Sequence, residues 1–108
     1  MTIITVNPAA GDDLYGLLLE KERELRRAGR GTLHRKGPRK RGQEKWVHTS
    51  YKGHIRLQKR LGGVLVAAIQ GRGANDEWQL SKSFVGFLHR HFRDEISGVT
   101  LAFGAEEG

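Results

Sequence analysis

The sequence predicts an α+β fold, a mostly antiparallel sheet of four to five strands with two helices packed on one face, in the order β-α-β-β-β-α-β. Three observations carry this expectation. Two segments place apolar residues at three- and four-residue spacing, short β-prone runs lie between glycine and proline breaks, and residues 64–69 are apolar at every position. The 108 residues, 37% of them hydrophobic, supply apolar surface for one core and not two. The chain therefore reads as a single domain over 1–108, with a flexible basic loop at about 30–45 and a frayed tail at 104–108.

Taken in order, residues 3–6 form a β-prone run that Asn7-Pro8 stops, because proline has no N–H for a ladder, and this reads as an edge strand. Asp12 and Asp13 then cap a helix whose buried stripe is Leu14, Leu17, Leu18, Leu25 and Ala28. Its solvent side carries Glu20 to Glu24, Arg26 and Arg27, with Glu22 and Arg26 spaced for an i,i+4 pair, and Gly29 suits the C′ position. Residues 30–45 hold four glycines and prolines among basic side chains, with Leu33 as the sole aliphatic anchor, which favours a loop or hairpin tip.

Residues 46–50 and 54–58 predict a hairpin around Tyr51-Lys52-Gly53. A three-residue loop sets His48 opposite Arg56 and Trp46 opposite Gln58, which places Val47, Thr49, Ile55 and Leu57 together on the apolar face. A turn at 59–63 leads to the strand 64–69, the expected middle of the sheet, broken by Gly71 and Gly73. Asn75 caps a second helix whose stripe is Leu80, Phe84, Phe87, Leu88 and Phe92, and Gly98 precedes a last strand over 99–103. The central α-β-β-β-α portion resembles double-stranded-RNA-binding domains in element order. It lacks the basic residues that open the second helix there, since Asn75, Asp76 and Glu77 occupy that position.

Charge carries the functional expectation. Residues 30–60 contain eleven Lys or Arg against Glu44 alone, a local +10 on a chain whose net charge is +7, so the remainder sums to −3. Such asymmetry marks an anionic partner, nucleic acid before others, with an acidic protein as the alternative. Arg35, Lys36, Arg39, Lys40, Arg41 and Lys45 are the candidates for phosphate contact, because clustered cations displace condensed counterions. Trp46, His48 and Arg56 are the candidates for an adjoining platform that stacks an unpaired base of RNA or single-stranded DNA; the other possibility for Trp46 is a place in the core. The rival reading is an adaptor or inhibitor module that docks an acidic protein without catalysis.

Other chemistries find little support. No cysteine means no disulfide and no thiolate metal site. His89 and His91 are two apart on a helix and diverge around its axis, so no metal is expected. The acidic residues sit at caps and on helix faces, and no nucleophile–base pair emerges, so neither catalysis nor a cofactor is expected. No apolar run is long enough to span a bilayer and no secretory signal is evident, so the expected location is cytoplasmic, away from membranes.

Overall fold

The computed structural model describes residues 1–10, 13–38 and 40–104. It is an α+β fold built on a six-stranded antiparallel sheet with two helices. The strands are β1 (Thr2–Pro8), β2 (Leu33–Arg35), β3 (Gln43–His48), β4 (Gly53–Lys59), β5 (Leu65–Gly71) and β6 (Ile96–Ala102). The helices are α1 (Leu14–Arg27), after β1, and α2 (Ala74–Phe92), between β5 and β6. Across the sheet the order is β2-β3-β4-β5-β1-β6. The four-strand meander β2 to β5 has one strand more than the α-β-β-β-α order expected, because Leu33 pins a short strand inside the basic segment.

The alternation of each strand builds the core. Ile4 and Val6 of β1, Ile55 and Leu57 of β4, and Leu65, Ala67 and Ile69 of β5 are all fully buried on one side. α2 lays Leu80, Phe84, Phe87, Leu88 and Phe92 on that side, as the helical spacing predicts. α1 adds Leu14, Tyr15 and Leu18 to the same core, and Asp13 caps it by accepting the Gly16 N–H at 3.2 Å. Asp12, the other expected cap, lies outside the described residues. Gly29, at φ 67°, terminates α1 in the left-handed conformation.

Several expectations are corrected. β1 is not an edge strand: it lies between β5 and β6, because the chain returns from α2 along its free side, and Pro8 is accommodated at a bulge where the register shifts. Glu22 does pair with Arg26, at 3.4 Å, yet its side chain is 1% exposed and belongs to the buried side of α1. Ala28 caps α1 from an exposed position and adds nothing to its stripe. Asn75 does not cap α2 but lies in its first turn, the N-cap being Gly73, and Gly98 lies within the last strand, which begins at Ile96.

The hairpin register is corrected as well. Trp46 stands opposite Ile55, and Lys45 opposite Arg56, so the pairing is offset by three residues from the expected one and the faces exchange. Trp46 is fully buried, and its ring meets Phe84 and Phe87 edge-on at 6.4 and 5.4 Å. Energetics decide the register. Burying a tryptophan removes 150–250 Å² from water, about 4–6 kcal/mol, whereas Val47 in its place would gain roughly 1.5–3. Glu44, two residues earlier and on the same side, accepts the indole N–H at 3.0 Å and removes the cost of burying that donor.

A glycine pair lets α2 approach the sheet. Gly53 and Gly71 face each other across β4 and β5. A Cβ on Gly71 would collide with the Glu77 backbone, and one on Gly53, at φ 126°, with the Gln70 carbonyl. Glu77, held there, ties α2 to the start of β1 by accepting the Thr2 hydroxyl at 2.8 Å and pairing with the terminal ammonium at 3.3 Å.

Candidate nucleic-acid interface

With Trp46, Ile55 and Leu57 turned to the helices, alternation puts Gln43 and Lys45 of β3 and His54, Arg56 and Gln58 of β4 on the other, open face. Lys45 and Arg56 are direct cross-strand partners there. Like charges opposed in this way repel and destabilise the sheet unless an anion lies between them. Among the described residues neither forms a salt bridge.

The basic segment before β3 folds over this pair. Lys36 N–H bonds the Lys45 carbonyl at 2.9 Å, which extends the β2–β3 ladder by one residue and sets Lys36 on the side of Lys45. A tight turn follows, in which the Gln43 N–H reaches the Lys40 carbonyl at 3.2 Å and Gly42 takes φ 72°. The Gly42 carbonyl accepts the Lys59 N–H at 2.8 Å, so the tip is tied to β4 as well. The segment expected as a loop over 30–45 thus contains a strand, and several of its backbone groups are fixed to the sheet.

The result is a depression of about 240 Å³ walled by Lys36, Pro38, Lys40, Gln43, Lys45 and Arg56, with Glu44 at its inner side. Arg41 flanks a second, shallower depression with Gln43, Gln58 and Arg60, where the Arg60 guanidinium donates to Gln58 at 2.6 Å. Four expected residues therefore meet at one place, Lys36, Lys40, Lys45 and Arg56, and Arg41 lies beside them. Arg39 lies outside the described residues.

Three expected residues are not on this face. Trp46 is core, so the anticipated stacking platform is absent from the surface. Arg35 stands opposite Trp46 on the helix side of β2; its guanidinium donates to the Gly37 carbonyl at 3.4 Å while its Nε is buried without a partner. His48 stands opposite Leu33 on that side too, stacked on Tyr51 at 4.6 Å, with Nδ1 accepting the Ser50 N–H at 2.9 Å. Burial, and secondarily the charge of His34, holds its pKa below the ordinary histidine value. Gln58 belongs to the polar side of the hairpin as the sequence predicts, whereas Gln43 and Arg60 were missed by sequence reasoning. The period-two pattern through Gln43, Lys45 and Val47 carries Gln43, once Trp46 is assigned inward.

Among the described residues no group of three His, Asp or Glu is arranged to hold a metal, and no helix is long and apolar enough to cross a membrane. Comparison with family models, curated proteins and solved structures finds no match for this chain.

Proposed function

We propose that the open face of β3 and β4 binds the phosphate backbone of RNA or single-stranded DNA. The observation that carries this reading is the opposed Lys45–Arg56 couple, in no salt bridge among the described residues, with Lys36 and Lys40 lining the same depression. A phosphate between the two strands would relieve their repulsion and accept from both side chains, and Arg offers the planar fork suited to it. Gln43 and Gln58 beside the cations add neutral donors for sugar or phosphate oxygens.

Burial of Trp46 changes the character of the interaction. Without an exposed aromatic in the depression, binding rests on the backbone and is largely independent of sequence. Titration of labelled RNA and single-stranded DNA at several salt concentrations tests this. Four phosphate contacts predict a slope of log K against log salt of about −3 for a single strand. Absence of binding at low salt would overturn the assignment and favour an acidic protein as the partner.

A further inference from the structure

We propose that β6 is a homodimerisation edge, through which two copies of this chain pair antiparallel to make one continuous sheet. The two edges of the sheet are treated differently. The β2 edge is three residues long and runs into Arg35 and Lys36, the short and charged kind of edge that resists pairing. The β6 edge is seven residues long and carries no charge from Ile96 through Phe103. It has no proline, and its one register irregularity lies at its start, opposite Pro8. Among the described residues no strand pairs with its outer side, and no charged side chain of the strand deters another from doing so.

The flank of that edge is apolar as well. α2 leaves β6 partly uncovered, and a groove of about 210 Å³ between them is lined by Val85, Leu88, Ile96 and Val99, with His89 and Arg93 supplied from the end of α2 and the turn after it and no charge from β6 itself. Phe103, 67% exposed, and Trp78, 47% exposed, meet edge-on at 6.2 Å at the end of the same edge. A strand added at β6 would cover this row.

Charge placement identifies the occupant as a second copy. An uncharged strand offers no counter-charge to an acidic or basic peptide, but antiparallel pairing about a two-fold axis matches it to itself. The net +7 does not oppose this strongly, because eleven of the nineteen Lys and Arg lie in residues 30–60, the segment that builds β2 to β4 at the far side of the sheet. At about 4.8 Å per strand, β4 of one copy would lie about 34 Å from β4 of the other, several times the ~8 Å Debye length. A two-fold axis normal to the sheet leaves both open faces on the same side of the dimer.

The chain has no cysteine, so one introduced thiol reports unambiguously. Sedimentation across a concentration series should give a dimer for the wild type. It should give a monomer for Val99→Lys and for Thr100→Lys, which put a charge on either face of the strand, with circular dichroism unchanged. In single-cysteine variants from Ser97 to Leu101, oxidative cross-linking should peak at the residue nearest the axis and fall away on both sides. A wild type that stays monomeric throughout the series, a dimer that survives both lysine variants, or cross-linking that is flat or absent along the strand would each overturn the proposal.

Discussion

Trp46 is the residue on which the arrangement of this molecule turns. Its burial between Phe84 and Phe87 sets the β3–β4 register, and the register in turn delivers Lys45 and Arg56 to the open face. Trp46→Ala is expected to cost about 3–5 kcal/mol in denaturant unfolding, the range for emptying a large aromatic site. A loss below about 1 kcal/mol would mean the indole is not core. Two histidines add a pH dependence at the same scale. Burial lowers the pKa of both His48 and His91, and His91 also faces Lys21, Arg90 and Arg30. The unfolded chain therefore takes up these protons first on acidification. Their contribution is complete above the unfolded value of about 6.5 and is lost as pH falls below it through the depressed folded values. Melting temperature should drop between about pH 7.5 and 5.5, and the drop should shrink in a His48→Gln, His91→Gln double variant. An equal drop in that variant would remove the histidines from the account.

Elements made mostly of repeating apolar spacing were legible in the sequence, and those decided by a single contact were not. The stripe of α2, Leu80 to Phe92, needs only the helical period, and residues 64–69 only their unbroken hydrophobicity. Within the hairpin, both alternating sets, Trp46 with His48 and Val47 with Thr49, contain an apolar residue. The choice between them depends on Phe84 and Phe87, about forty residues away, which period-two patterning does not see. β2 was missed for a related reason: three residues with one aliphatic, Leu33, become a strand only when β3 is beside them. The glycine pair belongs at this scale too. Gly71→Ala is expected to cost about 1–3 kcal/mol by pushing α2 off the sheet at Glu77, whereas Gly73→Ala, with open space around it, should cost far less. Equal effects in thermal melts would show that the close approach is not what holds α2.

At the scale of the whole molecule, charge is segregated. A local +10 in residues 30–60 coexists with a remainder of −3, and part of that basic segment gathers on the open face of the sheet. Its candidate residues were legible as a set because like charges stood close in sequence; which of them meet depended on strand register, so Lys45 and Arg56 converge while Arg35 turns away. Net charge alone would attract any polyanion; what distinguishes this surface is where its cations stand. The most direct measurement compares two double charge reversals by nucleic-acid titration at one moderate salt concentration: Lys45→Glu with Arg56→Glu on the open face, and Arg27→Glu with Arg90→Glu on the exposed helical side. Each pair lowers the net charge by four, from +7 to +3. The open-face pair should weaken binding by about 100-fold or more, at roughly 1.4 kcal/mol for each lost tenfold, and the helical pair by only a few-fold. Equal losses from the two pairs would contradict the account.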